Sequence, residues 1–251
     1  MKGRQHLLLA SVGLALLGCA LPTSAAVTIE QTRVIYNGSE KAVSLKVINH
    51  DKERPFLAQT WLEDAQGNKI TSPLIVLPPV QRVDANSTTQ VRIQALPATA
   101  TLPKDRESLF WFNIREIPPR SKKPNVLQVA LQTKVKLFYR PAAVMTLPEQ
   151  PWQEKLVVRK SGSQLLLENP TPYYITIVNL AVKKGAGTLS GFEPLMLKPF
   201  EKQTAPWNVS GLTNDAVISY INDYGGRPEL TLNCGQMPCT LTPLQDKKAE
   251  K

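Results

Sequence analysis

Apolar and polar residues alternate along this chain with a period of two, as in Val43-Ser44-Leu45-Lys46-Val47 and Leu127-Gln128-Val129-Ala130-Leu131. Successive side chains of an extended strand point to opposite faces, so the pattern predicts half-buried strands rather than helices. Turn formers separate the runs: Asn37-Gly38-Ser39, Gln66-Gly67-Asn68, Pro78-Pro79, Ser161-Gly162-Ser163, Asn169-Pro170 and Gly225-Gly226. Gly, Pro and Asn supply the backbone angles that tight turns need. Long amphipathic helical runs are missing, and many short strands between frequent turns predict an all-β fold of the sandwich class.

The strand pattern breaks after Tyr139-Arg140-Pro141, passes through Leu147-Pro148-Glu149-Gln150-Pro151 and restarts at Leu156-Val157-Val158. A boundary there divides the chain into residues 26–141 and 142–251. Each part is close to the roughly 100 residues of an immunoglobulin-like sandwich. The polar tail 246–251 is expected to be disordered.

Residues 1–25 read as an export leader: Lys2 and Arg4 precede an apolar stretch from Leu7 to Ala20, and Thr23-Ser24-Ala25 offers a small-residue cleavage site. The apolar stretch is too short to span a bilayer, and no later segment is apolar enough to do so. Leu16-Leu17-Gly18-Cys19 resembles a lipoprotein processing box, but Leu17 is bulky for it, and cleavage at Ala25 would discard Cys19. The exported chain then keeps Cys234, Cys239 and His50. Two cysteines with four residues between them, in an oxidising compartment, predict a disulfide-closed hairpin.

That inventory excludes much chemistry. A histidine-rich zinc site or a two-CxxC ribbon cannot be assembled, and a Ser-His-Asp triad would have to use His50, which lies in the polar run 49–54 and reads as a solvated turn residue. Dinucleotide, Walker, HExxH and GxSxG motifs do not occur. Asn37, Asn86 and Asn208 sit in N-x-S/T triplets, which arise often by chance. The formal charge is +10 in 251 residues, with the basic residues scattered among the strands. Without an aromatic-basic cluster this argues against nucleic acid, although a positive field can attract an anionic protein surface or a carboxylate.

The most informative segment is DRESLFWFNIREIPPRSKKPNVLQVALQTKVKLFYRP at 105–141, followed by ENPTPYY at 168–174 and SYINDYGGRP at 219–228. These ordered motifs resemble those of the periplasmic pilus chaperones. The resemblance spans most of the exported chain and weakens over 181–214 and in the tail, from which no functional residue is carried over. It implies two immunoglobulin-like β-sandwich domains set at an angle, with a cleft between them that receives pilus subunits. It also implies donor-strand complementation, in which the chaperone lends a strand to an incomplete subunit before an outer-membrane usher takes it.

By resemblance, Leu127, Val129 and Leu131 match the donor strand, whose one-sided apolar row could fill the subunit's groove. Arg33 and Lys136 match the pair that anchors the subunit's terminal carboxylate. Glu107, Arg140 and Asp223 match an inter-domain ionic cluster. Parity poses a difficulty, because Lys136 falls on the opposite face from Leu127 in a regular strand; a bulge, strand twist, or a cleft reached from the other face would each remove it. The short connection from Ile117 to Asn125 is similar to that in the branch serving rod-like pili. The implied partners are pilus subunits and an usher, with self-association of the free chaperone left open. No cofactor, enzyme activity or membrane insertion is implied. The rival reading is an exported structural or adhesive pilus-associated subunit, and a hydrolase using His50 is a distant third.

Overall fold

The computed structural model describes residues 25–145 and 151–244. The expected leader, with Cys19 and all but its last residue, lies outside the described residues, as do Thr146 to Gln150 of the expected break and the tail 246–251. The first domain contains β1 (Val27–Ile29), β2 (Arg33–Asn37), β3 (Ala42–Asn49), β4 (Phe56–Glu63) and β5 (Lys69–Ile70). It continues with β6 (Leu74–Leu77), β7 (Val80–Val83), β8 (Thr88–Ala95), β9 (Ser108–Ile117) and β10 (Gln132–Arg140). One sheet has the order β1-β3-β8-β6; the other has the order β2-β10-β9-β4-β5, with β7 also paired to β4.

The period-two pattern decides which side of each strand enters the core. In β3, Leu45 and Val47 are buried while Ser44 and Lys46 are exposed. In β10, Val135, Leu137 and Tyr139 join Phe110, Phe112 and Ile114 of β9 in one apolar cluster. The two sheets are also tied by a polar contact, since buried Glu116 on β9 accepts a hydrogen bond from the Val27 N–H of β1 at 2.8 Å.

The second domain contains β11 (Val157–Ser161), β12 (Gln164–Glu168), β13 (Ile175–Ala181) and β14 (Leu195–Leu197), then β15 (Lys202–Thr204), β16 (Ala216–Tyr220), β17 (Glu229–Asn233) and β18 (Thr240–Pro243). Sheets β11-β12-β15 and β14-β13-β16-β17-β18 enclose a separate apolar cluster that includes Val158, Leu167, Ile177, Trp207 and Ile218. A register shift between Ile177 and Asn179 reverses the parity of β13, so that Ile175 and Ile177 and then Leu180 all enter this core. A disulfide joins Cys234 to Cys239 across the turn between β17 and β18.

Both domains are therefore all-β sandwiches. Among the described residues the helical pieces are short 3₁₀ turns at Pro97–Thr101, Ala142–Val144 and Trp152–Lys155. Among them, too, no helix is long and apolar enough to cross a membrane.

Candidate functional site

Parallel pairing of β2 with β10 brings together residues far apart in sequence, because it sets Arg33 directly beside Lys136. Val34 and Tyr36 of β2 enter the core with Leu137 and Tyr139, so Arg33 and Lys136 share the outer face of the sheet. The register of β10 against β9 runs unbroken from Gln132 to Tyr139. No bulge interrupts β10 over that span: its odd positions fill the first core, while Lys136, Phe138 and Arg140 look outward.

Arg33 lines a depression of about 320 Å³ together with Gln31, Val34, Asp223 and Tyr224, so both domains border it. Neither Arg33 nor Lys136 forms an ion pair among the described residues, and the buried Nε of Arg33 has no hydrogen-bond partner. Burial lowers the Arg33 guanidinium pKa, against the pull of Asp223 and Glu107. Burial also lowers the Lys136 ammonium, and the neighbouring Arg33 charge lowers it further. Two half-buried cations held side by side without a contacting acid could attract an anion, and a carboxylate could take paired hydrogen bonds from the guanidinium.

Leu127, Val129 and Leu131 precede β10 and lie outside any strand, at 89%, 61% and 44% exposure. The alternation does not serve the protein's own core. Gln128 bonds within its own loop, where its side-chain amide donates to the Pro119 carbonyl at 2.7 Å and its side-chain oxygen accepts from the Ser121 N–H at 3.1 Å. The Glu116 N–H donates to the Leu131 carbonyl at 3.0 Å, and regular pairing with β9 begins at Gln132.

At the other end of β10, Arg140 joins the two domains. Its Nε donates to Glu107 at 2.9 Å, and its Nη1 and Nη2 donate to Asp223 at 2.8 and 3.1 Å. The Arg140 and Glu107 side chains are each 2% exposed, that of Asp223 23%. The guanidinium also lies 4.6 Å from the Trp152 ring centroid and 4.9 Å from that of Tyr173. Glu107 reads the second domain's backbone as well: its N–H donates to the Pro172 carbonyl at 2.9 Å and its carboxylate accepts from the Tyr174 N–H at 2.8 Å. Burial pushes the Glu107 carboxyl up to about 7, opposed by Arg140 and that N–H. Phe138 and Tyr174 add a ring contact across the boundary at 5.3 Å.

Sequence reasoning missed these aromatic contacts and the seat of the Asn222 to Gly226 turn. Asn222 holds that turn by accepting from the N–H groups of Tyr224 and Gly226. Gly225 has φ +83°, and a Cβ there would lie 2.4 Å from the Thr32 hydroxyl oxygen, so the turn that carries Asp223 also abuts the residue before Arg33. The pair Gly225-Gly226 signalled a turn, but nothing in the chain signalled its neighbour. His50 is exposed, with Nε2 2.9 Å from the Thr28 hydroxyl, and no metal-binding group of acids, histidines or cysteines occurs among the described residues.

Comparison with known proteins agrees across both domains. Residues 26–145 match the model described as pili and flagellar-assembly chaperone, PapD N-terminal domain, and residues 151–232 match the pili assembly chaperone PapD, C-terminal domain. The chain is 46% identical over 239 residues to the probable fimbrial chaperone YfcS of Escherichia coli K12, covering 95% of this chain and 94% of that protein. It is 45% identical over 239 residues to the Escherichia coli chaperone protein PapD, covering 95% and 98%. Among solved structures, the periplasmic chaperone SfaE superposes with a TM-score of 0.64 at 37% identity, covering 80% of this chain and 95% of that one. The SafB chaperone structure, in complex with the Salmonella enterica SafA pilin, gives a TM-score of 0.68 at 29% identity, covering 89% and 99%. Two matched domains in the right order, and near-complete coverage of relatives with this fold, make the chain a member of the PapD-like pili assembly chaperone family.

Proposed function

We propose that the protein is a periplasmic chaperone that holds pilus subunits by donor-strand complementation and passes them to an outer-membrane usher, with no catalysis and no nucleotide. On this reading residues 1–25 are the export leader, and the mature chaperone consists of domains 26–141 and 142–251. The observation that carries it is the continuity of two features along one stretch of chain. An exposed row of Leu127, Val129 and Leu131 leads into β10, whose Lys136 stands beside Arg33 with no contacting acid among the described residues. The cations hold the subunit's terminal carboxylate and so set the register, while the apolar row fills the groove left by the subunit's missing strand. Glu107, Arg140 and Asp223 hold the domains in the relation that keeps the cleft open. A structural or adhesive subunit would expose an incomplete core, whereas each apolar cluster here is enclosed by two sheets of its own domain.

The test is co-expression with the pilus subunits of the same organism, followed by purification of the chaperone from the periplasm and mass spectrometry of what accompanies it. Arg33→Ala and Lys136→Ala should each leave the chaperone folded and abundant while the subunit is lost. Each removed charge-assisted hydrogen bond is worth about 1.5 to 3 kcal/mol. Leu127→Ser and Leu131→Ser should weaken retention, through lost apolar burial of about 1.5 to 3 kcal/mol per side chain, and leave the carboxylate anchor intact. Variants of Arg33 and Lys136 that capture and release subunits like the parent would refute the anchoring role.

A further inference from the structure

The strand register lines up one outward row across four strands: Arg33 on β2, Lys136 on β10, Trp111 on β9 and Glu63 on β4. In the next row, Lys134 approaches Trp111 and Glu63 from the side. Its ammonium lies 4.9 Å from the Trp111 ring centroid and forms an ion pair with Glu63. Burial pushes the Glu63 carboxyl up, but Lys134 and the Trp61 indole N–H hold it below its ordinary value. The single acid of this patch is thus committed to Lys134. Lys136 receives no such partner among the described residues, and its ammonium lies 5.7 Å from the Trp111 ring centroid.

Resting on the carboxylate-anchor reading, we propose that Trp111 is a positioning residue for Lys136, its indole face steadying the ammonium beside Arg33 so that the cation stays charged and aimed at the anion site. The physical need is plain from the surroundings. Lys136 faces the positive Arg33 from β2 and has Lys134 two residues away on its own strand. The nearest acid on β4 is Glu63, already paired, and Asp223 of the second domain borders the depression on the Arg33 side. A carboxylate in place of Trp111 would neutralise Lys136 and close the site to an incoming anion. An aromatic face instead attracts a cation through its quadrupole without supplying a competing negative charge. The chain thus stabilises a half-buried ammonium while leaving its hydrogen bonds for a ligand.

The experiment separates this inference from the reading beneath it. In the free mature protein, the pKa of Lys136 is measured by NMR of isotope-labelled lysine. Trp111→Leu keeps the apolar cover but removes the ring, and should lower the Lys136 pKa by about half a unit, the shift given by a partly exposed cation–aromatic contact. Trp111→Phe should restore it. Fluorinated tryptophan incorporated into the parent keeps the shape and weakens the ring's negative face, so the pKa should fall as fluorines are added; this arm stands even if the Leu variant fails to fold. A Lys136 pKa that is unchanged or raised in Trp111→Leu, or indifferent to fluorination, overturns the proposal. In parallel, binding is measured with a synthetic peptide of alternating valine and threonine, prepared with a free terminal carboxylate and as its amide. The parent's preference for the carboxylate should narrow about threefold in Trp111→Leu and be kept in Trp111→Phe. A parent that binds both peptides equally would overturn the carboxylate reading, while the lysine titration still decides the role of Trp111.

Discussion

Replacing Arg140 with Met removes the cation at the domain junction and keeps an unbranched side chain against Trp152 and Tyr173. Glu107, 2% exposed, then loses its only cationic hydrogen-bond partner among the described residues and keeps the Tyr174 N–H at 2.8 Å. Asp223, 23% exposed, can recover part of its loss from water. Stranding a buried charge costs about 3 to 5 kcal/mol, a large part of the roughly 5 to 15 kcal/mol that holds a typical domain folded. The expected loss should also depend on pH. The folded Glu107 carboxyl is raised from 4.5 to about 7 by burial even with Arg140 opposing, and removing Arg140 raises it further. A carboxyl raised on folding is protonated first in the folded state, so stability grows as pH falls from the folded pKa towards the unfolded one. The deficit of Arg140→Met should therefore be small near pH 5, larger at pH 8 and full only above the variant's own raised Glu107 pKa. Urea unfolding at both pH values measures it, with Arg82→Met as comparator. Arg82 pairs with Asp84 at the surface, with side chains 65% and 70% exposed, and its loss should cost no more than about 1 kcal/mol. A deficit no greater than the comparator's, or one undiminished at pH 5, would refute the reasoning.

Two further outcomes follow from the cleft. Gly225→Ala places a side chain at φ +83° against Thr32 and should cost about 1 to 3 kcal/mol. Adding Thr32→Ala should recover the steric share but not the backbone share, and a double-mutant cycle of urea midpoints that shows no coupling would refute the contact. Burial and Arg33 lower the Lys136 pKa below 10.5, and an anion favours the charged form, so binding of a carboxylate peptide should weaken as pH rises through a window below that value. Lys136→Arg should hold its proton and shift the loss to higher pH; parallel loss in parent and variant, measured calorimetrically, would count against this.

Much of the fold was legible because a period of two states which face of a strand is buried. Val43 to Val47 and the recurring turn residues located strands and their boundaries without any knowledge of neighbours. Parity alone set Lys136 on the opposite face of β10 from Val135 and Leu137. What it could not state is which strand lies beside which, since pairing depends on contacts between residues far apart. The parallel β2–β10 pair and the approach of Asp223 to Arg140, 83 residues away, are of that kind. The inward and outward phases of β9 were also readable, with Trp111 out of step with Phe110 and Phe112, but its role needed the neighbouring row to be known.

The segment 127–131 shows a different limit. Its alternation is as regular as that of β3, yet β3 buries its apolar side while this segment exposes it. Alternation states only that one face is to be covered, not that the cover comes from the same chain. On the proposed function the cover is the subunit, and Gln128 gives the segment a reason to wait without it. By bonding to Pro119 and Ser121 it satisfies polar groups of the loop, while Leu127, Val129 and Leu131 stay exposed. A strand reserved for a partner must be kept from pairing with its own sheet, and here the unbroken β9–β10 register stops at Gln132, one residue after the last leucine of the row. The strand that follows, β10, turns its outward face to Arg33 at Lys136 and to the second domain at Arg140. The unbroken register of β10 thus fixes Lys136 and Arg140 relative to each other, and a one-residue slip would send both to the core side.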